Sequence, residues 1–372
     1  MTPRPPVVVL LGGPSAEHDV SVVSGTAIAE ALAAEGHRVE QVLIDLAGAW
    51  WWLPDGHRGS ERPTAVYDDP TAVDAEGPYT VGVALDRLAT THPAPVVAIA
   101  LHGPFGEDGT VQALLDAIGL PYTGSGVAAS AIGMDKTLFK RLCRGIGLPV
   151  VDWREVHAGR WASDRTGVRR ELEAFVAGCA DPRLMVKPAR LGSSLGMTLV
   201  HDPSELDGAL ETAFRHDTLV LVETYVPGAR DLEVAIIGNG PADLEVYGPG
   251  EIVSGHEFYD YAAKYTAGLS ETSTRAEVTD RQRATLQKIA RDAYRAIGAA
   301  GFARVDFLMA GEAIFLSEIN TIPGFTPISL FPTMPAEAGY TFGAVCTRIV
   351  ELALERHAAR AGRRLVPADL PR

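Results

Sequence analysis

The chain is poor in cysteine: Cys143, Cys179 and Cys346 are its three in 372 residues. They lie far apart, so they form neither a metal-ligand spacing nor an even-numbered disulfide set. Each reads as a small buried apolar residue. Long apolar runs are missing too, and a membrane-spanning helix needs roughly 20 such residues. Positive charge is in deficit: 33 Lys and Arg face 47 Asp and Glu, a formal net charge of -14. That balance argues against nucleic acid as a partner, which demands basic surface. It leaves room for a local basic pocket. The N-terminal Met1-Thr2-Pro3-Arg4-Pro5-Pro6 lacks a signal-peptide pattern, so no membrane partner and a cytoplasmic location are expected. Two phosphate-binding signatures are absent, G-x-G-x-x-G and G-x-x-x-x-G-K-[ST]. There is no internal repeat, heptad run or long low-complexity tract.

What is present is an ordinary globular composition, 47% hydrophobic, over a length that points to two or three domains. The most informative stretch is Arg304-Val305-Asp306, followed by Glu318-Ile319-Asn320 and Thr321-Ile322-Pro323-Gly324. Apolar runs at 303–309 and 313–317 flank Ala310-Gly311-Glu312, a segment short enough for a hairpin. Glu318 and Asn320 are two apart and share a strand face. If the strands pair, Asp306 joins them. Two carboxylates and an amide oxygen suit Mg²⁺, which takes hard oxygen ligands and leaves room for substrate phosphates. Arg304 is always charged and would answer growing negative charge. The plain alternative is a polar surface hairpin.

Along the chain, strand 7–11, the turn Gly12-Gly13-Pro14-Ser15, a helix over 21–35 and strand 38–44 form a doubly wound α/β unit. Glu17 lies in that turn, at the strand's carboxyl end, where such sheets bind ligands. It would either cap the helix or hold a substrate ammonium. Residues 47–74 read as irregular, a strand end and surface insertion, with Trp50-Trp51-Trp52 as local packing or an interface. Strand 96–101 ends in His102, at the same sheet edge as Glu17. Pro121-Tyr122-Thr123-Gly124-Ser125-Gly126 reads as a linker, with a domain boundary near 125.

Further on, strand 184–187 leads into Lys187-Pro188-Ala189-Arg190-Leu191-Gly192-Ser193-Ser194-Leu195-Gly196. Glycines there let backbone N–H groups approach phosphate oxygens, and such a loop can close as a lid. Strand 219–223 ends in Thr224-Tyr225-Val226-Pro227-Gly228, a hinge able to present backbone groups to adenine. Asp231 or Glu233 would hold ribose hydroxyls. Residues 251–270 fit no helix or strand period and read as a long functional loop, with Lys264 and Tyr265 as its useful side chains. Residues 280–297 and 342–359 read as helices, and the tail from 361 as frayed.

Taken together, these segments resemble the D-alanine–D-alanine ligase family of the ATP-grasp superfamily. The matching stretches are Leu11-Gly12-Gly13-Pro14-Ser15-Ala16-Glu17, Leu101-His102-Gly103, Tyr122 to Gly126, Met134-Asp135-Lys136, Val186-Lys187-Pro188 with Gly192-Ser193-Ser194, Phe258-Tyr259-Asp260-Tyr261 with Lys264-Tyr265, and Arg304 to Gly324. They are collinear and span nearly the whole chain.

The resemblance implies a three-domain α/β ATP-grasp fold. Residues 1–125 would form an N-terminal doubly wound domain. Residues 126–226 would be the central domain with the lid, and 227–372 the C-terminal domain with the metal site. It implies ATP as cosubstrate, two Mg²⁺ ions (or Mn²⁺) on Asp306, Glu318 and Asn320, D-alanine as substrate, and a homodimer. Lys136 and Lys187 match phosphate-contacting lysines. Glu223 and Val226 fall at the adenine hinge, and Asp231 stands where the family usually has a ribose-binding glutamate. Lys264 and Tyr265 match the closing loop. Glu17, Ser193 and Tyr265 match the set that orients the first amino acid. His102 falls at the substrate-binding edge, and Ser329 and Leu330 where the second amino acid's carboxylate is received. Arg304 and the Gly324 N–H are the candidates to stabilise the intermediate's charge.

Tyr265 in the resemblance goes with dipeptide rather than D-lactate ester formation. D-serine or another amino acid as second substrate stays open, because pockets separate small side chains by only about 1–3 kcal/mol. A hydride-transferring dinucleotide enzyme would need the missing glycine fingerprint. A non-catalytic nucleotide sensor would show lost metal ligands, and Asp306, Glu318 and Asn320 are all present.

Overall fold

The computed structural model describes residues 4–60, 62–179, 181–240, 242–254 and 270–361. Three sheets organise the chain, and each builds one wall of the site.

The first sheet has five strands: β1 (Val7–Gly12), β2 (Val39–Ile44), β3 (Trp50–Trp52), β4 (Glu76–Tyr79) and β5 (Val96–Ile99), in the order β4-β3-β2-β1-β5. β1 pairs in parallel with β2 and β5 and is buried along its whole length. That fits its unbroken Val/Leu run, because parallel strands are covered on both faces. Helix α1 (His18–Ala34) crosses over from β1 to β2. The tryptophans belong to this sheet and not to a surface insertion. β3 pairs antiparallel with β2 and extends the sheet. Trp50, Trp51 and Trp52 are all buried, and Arg87 stacks 4.2 Å over the Trp52 ring. A run of three aromatics after a Gly-Ala turn looks irregular in sequence. Packing against the sheet's two sides is what makes it a strand.

The second sheet is antiparallel: β6 (Trp153–His157), β7 (Leu184–Pro188), β8 (Thr198–Val200) and β9 (Leu219–Thr224), in the order β6-β9-β7-β8. The third contains β10 (Arg230–Ile237), β11 (Glu245–Ser254), β12 (Ser270–Ser273), β13 (Phe302–Ala310) and β14 (Ala313–Asn320), in the order β12-β11-β10-β13-β14. At its two described ends, the expected loop at 251–270 is strand instead. β11 continues through Ser254 and pairs with β12, its period masked in sequence by Gly248-Pro249-Gly250. Lys264 and Tyr265 lie outside the described residues.

On β13, Ala303, Val305, Phe307 and Met309 point into a core formed with the helix Asp280–Ala296. The same core takes Ala129 of α2 (Val127–Met134) and Phe139 and Cys143 of α3 (Lys136–Gly145). These helices precede the second sheet in the chain yet pack on the third. In the same way the helix Phe342–Ala361 packs against α1 and the first sheet. Among the described residues, no helix is long and apolar enough to cross a membrane.

Candidate active site

The β13–β14 hairpin forms as the period-two pattern requires. Asp306 pairs with Glu318, and Arg304 with Asn320. The polar residues alternate with the buried ones, so all four lie on the face away from the core. A bulge at Ser317, just before Glu318, breaks the register between Asp306 and Phe307, and from Glu318 to Asn320 the pairing is regular again. The Arg304 guanidinium grips Asp306 in a fork, Nε to Oδ1 and Nη2 to Oδ2, both at 2.7 Å. Its Nε also lies 3.2 Å from Glu233 on β10. Asn320 Nδ2 donates to Asp306 Oδ2 at 2.9 Å.

Facing this hairpin across a cleft of about 1040 Å³ stand the strands of the second sheet. Lys136 and Lys187 border the cleft, as do Asp231, Val226 and Glu223. Lys136 Nζ lies 3.0 Å from Glu318 Oε2 and donates to the Leu191 carbonyl at 3.0 Å. Burial works against its charge, but the Glu318 carboxylate outweighs that and holds the Lys136 ammonium above its ordinary value. Glu223 is buried between two lysines, with Lys140 2.9 Å from Oε1 and Lys187 2.8 Å from Oε2. Burial alone would raise its carboxyl; the two ammoniums win and hold it below the usual range.

The glycine- and serine-rich loop reaches from this cleft to the first sheet. Ser193 donates to Glu17 Oε1, and both residues are buried. Ser193 and Ser194 hold φ of 51° and 56°, a conformation costly for residues with a Cβ. Glu17 occupies the position before α1, yet its carboxylate makes no cap bond. It points instead into the space between two glycines. A Cβ on Gly103 or on Gly192 would come within 2.6 Å of Glu17 Oε2. Among the described residues, that oxygen is buried without a hydrogen-bond partner. A buried, unpaired carboxylate oxygen is costly, and a ligand ammonium would satisfy it.

His102 stands at the expected edge, its carbonyl accepting from Ser15 in the Glu17 turn at 2.9 Å, but its ring faces the protein. Its Nδ1 meets the Ile322 carbonyl at 2.9 Å and its Nε2 meets Ser24 Oγ at 2.9 Å. A carbonyl only accepts, so Nδ1 carries the proton and Nε2 accepts from the Ser24 hydroxyl. Ser24 Oγ in turn accepts from the Phe325 N–H at 3.4 Å. Burial pushes the ring's pKa down despite nearby Glu17, which keeps this neutral relay intact. Both ring nitrogens are thus spent, Nδ1 on the 322–325 loop directly and Nε2 on Ser24, which in turn holds the Phe325 N–H, and His102 acts on the site by holding that loop.

Its partner in this task, Glu107, was not singled out by the sequence. Glu107 Oε2 accepts from the Gly103 N–H at 2.8 Å and Oε1 from the Ile322 N–H at 3.2 Å. The Ile322 peptide is therefore held on both sides, two residues before Gly324. The only signal in the sequence was the acid's place in Gly103-Pro104-Phe105-Gly106-Glu107, beside His102. Burial, and then Glu17, push the Glu107 carboxyl up to about 8. Its folded value is above its unfolded one, so its contribution to stability is complete below the unfolded value. It is lost as pH rises through about 8. Melting temperatures of the parent and of Glu107→Gln, followed between about pH 5 and 9, should show a fall in the parent that the variant lacks. Parallel curves would remove Glu107 from this role.

Ser329 Oγ accepts from the Thr326 N–H at 3.0 Å and lies 3.5 Å from where a Gly324 Cβ would be. Leu330 opens the short helical turn Leu330–Thr333 with its side chain buried. Its N–H is one of the first-turn donors that a helix leaves without an intrahelical partner.

Among the described residues, no group of three or more His, Cys, Asp or Glu is placed to hold a metal. The candidate set has two carboxylates, Asp306 and Glu318, completed by the Asn320 amide. That donor set fits Mg²⁺, which is commonly held by one or two carboxylates with substrate phosphates filling the rest. Arg304 and Lys136 neutralise the two acids in the structure.

Two facing antiparallel sheets around a lysine-bordered cleft, behind a parallel-sheet unit, are the architecture of ATP-grasp enzymes, and solved structures agree. A D-alanine–D-alanine ligase of Coxiella burnetii superposes with a TM-score of 0.79 at 29% identity, covering 97% of each chain. A D-Ala:D-Ser ligase of Enterococcus faecalis gives 0.78 at 28% identity, covering 94% of this chain and 99% of its own. Family models described as the D-ala D-ala ligase N-terminus and C-terminus match residues 6–125 and 142–351. A D-alanine–D-alanine ligase of Heliobacterium modesticaldum is 39% identical over 98% of both chains. One of Deinococcus radiodurans is 39% identical over 94% of this chain and 98% of its own. The chain belongs to the D-alanine–D-alanine ligase family.

Proposed function

We propose that the chain is an ATP-dependent ligase that joins two D-alanines into D-alanyl-D-alanine, working in the cytoplasm as a homodimer for cell-wall precursor synthesis. The observation that carries the site reading is the Ser193–Glu17 contact, which ties the serine loop bordering the lysine-lined cleft to the first sheet.

ATP is assigned to the cleft between the two antiparallel sheets, so the working divisions are 1–125, 126–226 and 227–372. Glu223 and Val226 face the base. Asp231 takes the ribose, because Glu233 is committed to Arg304. Lys136 and Lys187 take the phosphates, and Lys264 joins them from the closing loop. Asp306, Glu318 and Asn320 would hold two Mg²⁺ ions, with Mn²⁺ an acceptable substitute. Bound there, the metal would neutralise charge on the transferring phosphoryl group.

The first D-alanine places its ammonium at Glu17 Oε2, and Ser193 with Tyr265 ties the lid over it. Its carboxylate attacks the γ-phosphorus of ATP, giving an acyl phosphate and ADP. This step needs positioning and charge neutralisation more than covalent help. The second D-alanine sets its carboxylate on the Ser329 hydroxyl and the Leu330 N–H. Its amine attacks the acyl carbon, and phosphate leaves. Arg304 and the Gly324 N–H face the tetrahedral oxyanion. His102 and Glu107 keep Gly324 aimed, and the closed lid keeps water from the acyl phosphate.

The test is phosphate release from ATP with D-alanine alone, then with D-serine or D-lactate added. Full rate with D-alanine alone is expected. A rate that depends on the added D-serine or D-lactate would move the chain to the mixed-substrate ligases, whose fold differs little.

A further inference from the structure

Lys140 is a lysine with no exposed side-chain surface, an arrangement rarely tolerated without a partner and a purpose. It sits on α3, one turn beyond Lys136. Its Nζ lies 2.9 Å from Glu223 Oε1 and 5.8 Å from the centre of the Trp153 ring. Lys187 takes the other oxygen of the same carboxylate. Two ammoniums therefore share one carboxylate in a buried place, an excess of one positive charge. Glu223 and Lys187 border the nucleotide cleft, while Lys140 lies behind them.

We propose that Lys140 is a positioning residue: it stays as the fixed counter-ion of Glu223 so that Lys187 can leave that carboxylate for the nucleotide phosphates. The inference rests on the ATP cleft assigned above. A nucleotide polyphosphate competes with Glu223 for Lys187. If Glu223 had no second partner, releasing Lys187 would strand a buried carboxylate, and Lys187 would be held back. Lys140 removes that conflict. It keeps Glu223 ionised and in place at the cleft wall throughout the exchange. Burial above all, with a smaller push from Lys187, lowers the Lys140 ammonium to about 8 even though Glu223 raises it.

The test compares the parent with Lys140→Met, Lys140→Arg, Glu223→Gln and the Lys140→Met/Glu223→Gln double variant. Binding of the non-hydrolysable analogue AMP-PNP with magnesium is read by titration calorimetry, and KM is measured for ATP and D-alanine. Lys140→Met should weaken AMP-PNP and raise the ATP KM by about tenfold, with the D-alanine KM unchanged, and Lys140→Arg should recover most of the loss. With Gln at 223 no carboxylate retains Lys187, so adding Lys140→Met there should cost less than about twofold. Equal losses in both backgrounds, or unchanged AMP-PNP affinity in Lys140→Met, would overturn the assignment. If Lys140→Met does not fold, the double variant against Glu223→Gln decides: matched affinity supports the role and a tenfold loss refutes it. A parent that binds AMP-PNP yet makes no dipeptide refutes the ligase reading and leaves this comparison readable.

Discussion

Arg304→Ala is expected to abolish dipeptide formation in practice, lowering kcat by about 10²–10³-fold, while AMP-PNP still binds. The guanidinium is fixed rather than mobile. It is held by a two-point grip on Asp306 and a third contact to Glu233, so it needs no reorganisation when charge develops beside it. It also keeps its proton at any working pH. The proposed nucleotide contacts of Lys187, Glu223 and Val226 lie on the other side of the cleft, which is why binding should survive. Removing the side chain also takes the guanidinium from between two paired acids, Asp306 and Glu233, so the variant should melt earlier. Arg304→Lys separates these effects. It retains the charge and most of the stability but loses the planar fork, and its kcat should stay far below the parent's. Near-normal turnover in either variant would remove Arg304 from the oxyanion role.

Glu318→Gln should be comparably severe, with phosphoryl transfer slowed by about 10³-fold, a few kcal/mol of lost charge stabilisation. The substitution is isosteric, and the Glu318 side chain is only partly buried, so the fold should persist. It deletes one of the two carboxylates in the donor set and frees Lys136 from its ion pair. The diagnostic is the magnesium dependence of the rate. The concentration needed for half-maximal turnover should rise steeply, which loss of the Lys136 contact alone would not produce. An unchanged magnesium curve would contradict the metal assignment.

The sequence made some parts of the site readable and hid others for physical reasons. The hairpin carrying Asp306, Glu318 and Asn320 was readable because strand period and turn length are local properties, and both hold in the structure. Glu17 and the serine loop were readable as loops at strand ends. Their junction, Ser193 on Glu17, joins residues 176 apart, a contact that only the assembled sheets create. Glu107 was missed because its purpose is to hold the Ile322 N–H, 215 residues away. Lys140 was missed because the helix Lys136–Gly145 is strongly amphipathic, and a lysine one turn after another reads as solvated surface. Strands β6 and β9 bury it by bringing Trp153 and Glu223 over it. His102 shows the reverse. Its position at a ligand-binding edge pointed to substrate, whereas its two nitrogens turned out to be spent on the Ile322 carbonyl and Ser24.

The most direct single measurement is to supply ATP, Mg²⁺ and D-alanine and to identify the product by mass while counting phosphate released. Formation of D-alanyl-D-alanine with one phosphate per dipeptide is the expected result. Absence of turnover with D-alanine, together with turnover on a different amino acid, would contradict it.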